Sequence, residues 1–326
     1  MSALRALRRR VLTPGIAETT LAVRGFRVKD DTSRELLETV GRTFLAGYAH
    51  AVGARRPRDA EEPLEAIPAQ FRGFAYEGAG MGFAVLDGLP FGGNRHVEQF
   101  LEGRAADHVY MVYVGIGWAM ARLPRFRWPA DARTDPLLRW LVLDGYGFHQ
   151  AYFKTEQYVH HQYADPRFPW PAAGPRSYAG RALDQGIGRA LWFVGGTDAQ
   201  HVADLIDRFP EHRQEDLYAG AGLAATYAGG ESEDELVLFR HRSGPHAAMV
   251  AQASAFAAEA RVKAGLVVPH TGLATRVFCG TTPEKAARVT QDVRPAPPVV
   301  DGAVPAYETW RQRIARQFVH QEGVRR

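Results

Sequence analysis

Three carboxylates recur beside paired glycines in this chain. Glu77 directly precedes Gly78, Asp144 directly precedes Gly145, and Asp184 lies two residues before Gly186. Placed at helix N-termini, such carboxylates would be stabilised by the helix dipole and by free backbone N–H groups, a purely structural role. If equivalent helix ends instead converge on one cavity, several carboxylates share a pocket. One of them then acquires a raised pKa and can act as a general acid. His149 lies five residues beyond Asp144, among Tyr146, Phe148, Tyr152 and Phe153. Its ordinary pKa makes it the acid/base candidate of that segment, against the plainer reading of a satisfied interior histidine. Tyr76, Phe83, Tyr113 and Trp118 fall in the same glycine-rich segments, as do Phe148, Tyr152, Trp192 and Tyr227. Such rings pack a core or line an apolar cavity, and their faces can stabilise a cationic intermediate.

Other chemistries find less support. Asp204-Leu-Ile-Asp207 puts two carboxylates three apart on a helix, a spacing that could hold Mg2+ on a diphosphate, but a solvated helix face accounts for it as well. None of the twelve histidines shows a helical His-x-x-x-His spacing, so no metal site is expected. No Gly-x-Ser-x-Gly elbow is present. The single cysteine, Cys279, has an apolar flank and reads as an inert buried thiol. No β-run precedes Gly78-Ala-Gly80 or Gly186-Ile-Gly188, and the third glycine of a dinucleotide fingerprint is out of place. No cofactor is therefore expected.

The elements that would hold these residues come from a repeated cassette. Gly78-Ala-Gly80, Gly115-Ile-Gly117, Gly145-Tyr-Gly147, Gly186-Ile-Gly188 and Gly220-Ala-Gly222 recur about 30 to 41 residues apart, and Ala253-Ser-Ala255 is a degenerate sixth copy. A repeat of that period predicts stacked helical units sharing one core. Two glycines per unit, at about 1 kcal/mol of helix propensity each, argue for a tight inner layer of closely approaching helices. The expected fold is mainly all-α, an α/α toroid or tightly wound α-solenoid of about six helical-hairpin repeats. Residues 1–30 read as an extended arm with a strand-like stretch at 21–28. Residues 31–293 read as the helical-repeat domain, and 294–326 as a proline-rich tail with a final helix.

The bulk composition fits a globular protein. Hydrophobic residues make up 46% and charged residues 23% of 326 residues. The net charge of +4 gathers near the termini, and no basic stripe crosses the middle, so nucleic-acid binding is not expected. One cysteine precludes an intrachain disulfide and suits a reducing compartment, so a cytoplasmic location is expected. No run of about 18 apolar residues could span a bilayer. Residues 3–12 have the composition of a short basic helix able to touch an anionic membrane, although an exposed first helix would look the same.

The segments Phe71–Ala84, Leu143–Phe153, Asp184–Phe193 and Asp216–Gly230 resemble the family catalogued as domain of unknown function 1702. The resemblance covers about Arg24 to Arg316. It implies a setting in actinobacterial natural-product clusters, notably of the enediyne type. With the cavity expected above, it implies a protein acting on a hydrophobic polyene or isoprenoid-like intermediate by acid/base-promoted cyclisation or isomerisation. Glu77, Asp144 or Asp184 would supply the proton, with His149 as base or partner. The alternative is a non-enzymatic helical-repeat scaffold or carrier for a biosynthetic partner protein or product.

Overall fold

The computed structural model describes residues 3–90, 95–129, 134–170 and 175–324. Parts of both proline-rich loops after the second and third glycine cassettes, and the terminal Arg325 and Arg326, lie outside the described residues. The described residues form helices and no strand. The first elements are α1 (Ala3–Leu12), α2 (Leu21–Arg24) and α3 (Asp31–Gly53). The expectation of an extended arm with a strand at 21–28 is thus corrected. Thr20 caps α2 by accepting from the Val23 N–H, and Gly25 ends it in the left-handed region at φ 70°. These two end signals outweigh the β-branched composition of the stretch. Residues 13–15 and 25–30 run without helix, and the second stretch is tied down by the Arg27 N–H donating to the Val194 carbonyl.

Next come α4 (Glu61–Glu65), α5 (Ala69–Gly88), α6 (His96–Leu101), α7 (Val109–Met120) and α8 (Trp140–Phe153). They are followed by α9 (Ala179–Val194), α10 (Ala199–Ile206), α11 (Glu211–Ala228), α12 (Glu233–Arg242) and α13 (Ala247–Lys263). The chain ends with α14 (Pro269–Cys279), α15 (Pro283–Asp292) and α16 (Ala306–Val324). The five glycine cassettes lie in α5, α7, α8, α9 and α11, and the alanine copy lies in α13. These helices pack on one another in chain order, and α3 packs on α5 ahead of them.

The cassette has a directional logic. A Cβ on Gly115 would lie 2.2 Å from the Glu77 carbonyl of α5, and one on Gly117 would lie 2.0 Å from the Val142 carbonyl of α8. Gly186 meets Asp144 of α8 in the same way, and Gly188 meets Leu217 of α11. The first glycine of each pair therefore admits the preceding helix and the second admits the following one. Neither place has room for a side chain. The cassettes are mid-helix, so the expectation of glycines and carboxylates at helix N-termini is corrected. Glu77, Asp144 and Asp184 sit one to two turns inside their helices.

Helical hairpins are only partly regular. α10 and α12 are second helices, and α6 is a short one. Residues 121–139 and 154–178 carry no second α-helix among the described residues, only 3-10 and π turns. At the start, α1 lies against the end of α3, with Arg8 donating to the carbonyls of Val52 and Ala54. At the finish, α16 buries Arg311, which pairs with Asp216 at 2.7 Å and Glu308 at 2.8 Å. Asp301, which is ion-paired with Arg139, holds the tail ahead of it.

Candidate functional site

Within each cassette, the residue before the first glycine and the residue after the second are four apart, so they share a helix face. In α5 this pair is Glu77 and Met81, in α7 Val114 and Trp118, in α8 Asp144 and Phe148. In α9 it is Gln185 and Arg189, in α11 Ala219 and Leu223, in α13 Gln252 and Phe256. Every residue after the second glycine lines one of two cavities that meet across a shared wall. Five of these six are apolar. Arg189 is the exception.

The first cavity is a mainly apolar slot of about 70 Å³. Its walls include Phe44, Phe74, Trp118, Phe148, Tyr152 and Tyr227, and Pro14, Glu18 and Thr19 come in from the segment after α1. Its volume is small beside the ~300–1,000 Å³ of typical small-molecule pockets, so it suits a narrow chain end. Trp118 packs at ring-centroid distances of 5.1 Å from Phe148 and 4.5 Å from Phe44. The second cavity, about 50 Å³, lies among Val114, Leu141, Asp144, Phe256, Tyr307 and Trp310. Arg189, Leu223 and Tyr227 line both. α7 and α8 give their first halves to the second cavity and their second halves to the first. The N-terminal segment thus borders one chamber and α16 the other.

The wall is charged. Arg189 donates to Asp144 Oδ1, and its other guanidinium nitrogen stands 3.9 Å from Glu77 Oε1. All three side chains are buried. Burial pushes Glu77 up to about 7, Arg189 opposes this, and Asp144 adds to it. Asp144 is also raised by burial, against its direct pairing with Arg189. The Trp118 indole N–H faces the Glu77 carboxyl and favours its anion without closing a full hydrogen bond. The Tyr227 hydroxyl finds no protein partner either. Glu77 is thus a buried carboxylic acid, pushed well above the usual carboxylate range, that lines an aromatic slot.

Asp184 and His149 stand apart from this cluster. Asp184 is one residue, about 100° around the helix, from the inward position that Gln185 occupies. It is held by Arg213 at 2.5 Å, and its pKa is raised to about 6 chiefly by burial. His149 lies behind Trp118, at 5.5 Å between rings, and does not line the slot. Burial, with Arg122 and Lys154, pushes it down to about 3, so it is neutral at physiological pH. Of the aromatic candidates, Trp118, Phe148, Tyr152 and Tyr227 line the slot. Tyr76 instead donates to Glu65 and stacks on His108, Phe83 packs on Phe100, and Tyr113 accepts from the Asp135 N–H. Trp192 donates to the Gly229 carbonyl.

Sequence reasoning passed over Arg189. Its signal was available: it occupies the position after the second glycine, where every other unit has Met, Trp, Phe or Leu. Asp204 and Asp207 are both bridged by Arg242, at 2.9 and 2.6 Å. No group of three or more His, Cys, Asp or Glu able to hold a metal ion occurs among the described residues. Cys279 is buried and its thiol is pushed up to about 12 by burial. No helix among the described residues is long and apolar enough to cross a membrane.

Fold and site together define an all-helical protein whose glycine-paired helices surround a buried acid–arginine–acid wall between two small apolar chambers. The chain belongs to the family described as protein of unknown function DUF1702, whose profile matches residues 3–318. No curated protein and no solved structure matches it.

Proposed function

We propose that this chain is a natural-product biosynthesis enzyme that moves a proton on a hydrophobic polyene or isoprenoid-like intermediate held in the aromatic slot. The observation that carries this reading is the buried Glu77 carboxyl that lines that slot 3.9 Å from Arg189, where burial pushes its pKa up to about 7. A general acid works best with its pKa near the operating pH. Protonated Glu77 gives its proton to one carbon of a C=C bond, and the adjacent carbon becomes cationic. Trp118 and Phe148 present π-faces to that charge. The Glu77 carboxylate, now favoured by Arg189 and the Trp118 N–H, removes a proton from a neighbouring carbon. The double bond has then moved. If a second double bond attacks the cation first, a ring has closed. Neither route consumes a co-reactant. Asp144 neutralises Arg189, which keeps a bare guanidinium from opposing the cation. The natural-product setting, of enediyne or terpenoid type, and an actinobacterial origin follow from the resemblance alone.

The same reading favours a tightly wound α-solenoid of a single turn over a flat toroid. α5 contributes to the first cavity only and α13 to the second only. Arg261, near the end of α13, donates to the carbonyls of Ala69 and Gln70 at the start of α5, so the two ends meet with an axial offset.

A non-enzymatic carrier for a hydrophobic product or a biosynthetic partner is the second reading. The mutual neutralisation of Asp144 and Arg189 favours it, because it ties up the one aspartate that lines the second cavity. Native mass spectrometry of the purified chain, with the released molecules identified, supplies the ligand for the test. Glu77→Gln that retains the ligand but no longer converts it supports the enzyme. Unaltered conversion by a folded Glu77→Gln variant removes Glu77 as the acid. Retention of an identical, unconverted molecule by both proteins moves the reading to a carrier.

A further inference from the structure

α1 is an amphipathic helix mounted with its polarity reversed. Arg5, Arg8, Arg9 and Leu12 are on its half-buried side. Arg8 is spent on the carbonyls of Val52 and Ala54, and the stem of Arg9 lies along Gly53. The opposite side carries Ala6, Leu7, Arg10 and Val11 to solvent, with Leu7 58% and Val11 70% exposed. Ile16 (64%) and Val23 (53%) continue the exposed aliphatic surface along the same N-terminal segment. A helix with both kinds of residue in hand ordinarily turns the aliphatic side toward its own protein. Here the arginines are turned inward and the aliphatics outward.

The sequence nearest α1 is rich in arginine, with acidic residues only at its borders, Glu18 on one side and Asp59, Glu61 and Glu62 on the other. Residues 3–17 contain four arginines and no acidic residue, and residues 39–58 likewise contain no Asp or Glu. Because α1 packs on the end of α3, Arg55, Arg56 and Arg58 in the exposed turn that follows join Arg5, Arg8, Arg9 and Arg10. Of these seven arginines, Arg10, Arg55, Arg56 and Arg58 are exposed. The segment that leaves α1 then supplies Pro14, Glu18 and Thr19 to the wall of the aromatic slot.

We infer that α1 and the following segment dock on an anionic lipid surface, with Leu7, Val11 and Ile16 in the headgroup–acyl boundary and the exposed Arg10, Arg55, Arg56 and Arg58 against lipid phosphates. Exposed aliphatics inside a basic field distinguish this surface from one built for nucleic acid, where phosphate contacts need no apolar centre. Docking sets the slot beside the bilayer, so an apolar ligand passes between lipid and protein without crossing water. The last point rests on the slot being a ligand site, as proposed above. Docking itself does not.

The test is co-sedimentation of the full chain with vesicles of phosphatidylcholine alone and with vesicles containing phosphatidylglycerol, at low and high salt. Binding should require phosphatidylglycerol and weaken with salt. Arg10→Glu, Arg55→Glu and Arg56→Glu should each weaken it by about five-fold or more. The pair Leu7→Asp and Val11→Asp, at exposed positions that leave the helical circular dichroism intact, should weaken it by at least about ten-fold. Glu77→Gln should bind vesicles as the parent does, which separates docking from the chemistry of the slot. Failure to bind phosphatidylglycerol vesicles overturns the inference. So does full binding by the Leu7/Val11 pair, which would mark simple charge adsorption. A concentration-dependent dimer in sedimentation equilibrium, abolished by that pair, would assign the surface to a second copy of the chain instead.

Discussion

Glu77 is placed where its proton is neither firmly held nor firmly lost. Burial disfavours the anion, and Arg189 at 3.9 Å recovers part of that loss. Conversion of the bound ligand by Glu77→Gln should fall by roughly 10² or more in single-turnover assays, the usual contribution of a general acid. In the parent protein the rate should decline as the pH rises above about 7, where the acid form empties. Stability carries the same signature. The folded value of about 7 lies above the ordinary 4.5, so between these values the folded chain holds a proton that the unfolded chain has released. This residue's contribution to stability therefore declines from about pH 4.5 to about 7 and is flat beyond. Glu77→Gln should remove that slope. Urea midpoints at pH 5 and pH 8 should show the variant gaining on the parent at the higher pH, and equal differences at both would contradict the assignment. Glu77 and Asp144 were legible in the sequence because they directly precede a first glycine. Asp184 looked equivalent but is one residue out of register, which turns it toward Arg213. Arg189 was overlooked because its cassette position, apolar in every other unit, was not compared across the units.

At the scale of the element, each paired glycine is a contact with a neighbour on either side. Gly115→Ala would force α5 and α7 apart, since its Cβ would sit 2.2 Å from a main-chain oxygen that cannot turn away. Overpacking of this kind costs about 1–3 kcal/mol or more, and thermal denaturation should show a clear fall in midpoint. Gly272 in α14 meets nothing within 4 Å and its φ is not positive, so Gly272→Ala should instead raise stability by up to about 1 kcal/mol. A similar loss at both sites would contradict the close-approach reading. The all-helical class and the close approach of the glycine-bearing helices were readable from the cassette spacing. The irregular hairpins were not, because the proline-rich loops differ in composition from unit to unit. The helical α2 was hidden by residues that favour strands, and a side-chain cap and a left-handed glycine decide it.

For the whole molecule, the last helix completes the core. Arg311 is almost fully buried and answers Asp216 and Glu308, while Trp310 donates to the Thr290 carbonyl. Removing one partner of a buried charge set leaves the others uncompensated, typically at about 3–5 kcal/mol. Arg311→Ala should therefore lower the urea midpoint far more than Arg313→Ala, at a position toward the exposed side of the same helix. Equal effects would show that α16 is only loosely held. Arg181 also reaches Asp216 and should temper the loss.

The shared wall between the chambers also acts as a ruler. Arg189 is fixed by Asp144, so the depth of the first slot is set mainly by Leu223 and Tyr227, which stand on α11 one turn apart. Leu223→Ala shortens the only one of the three wall side chains that carries no polar group. It should let a linear ligand run on into the second chamber. The molecules released from that variant should then be longer than those from the parent.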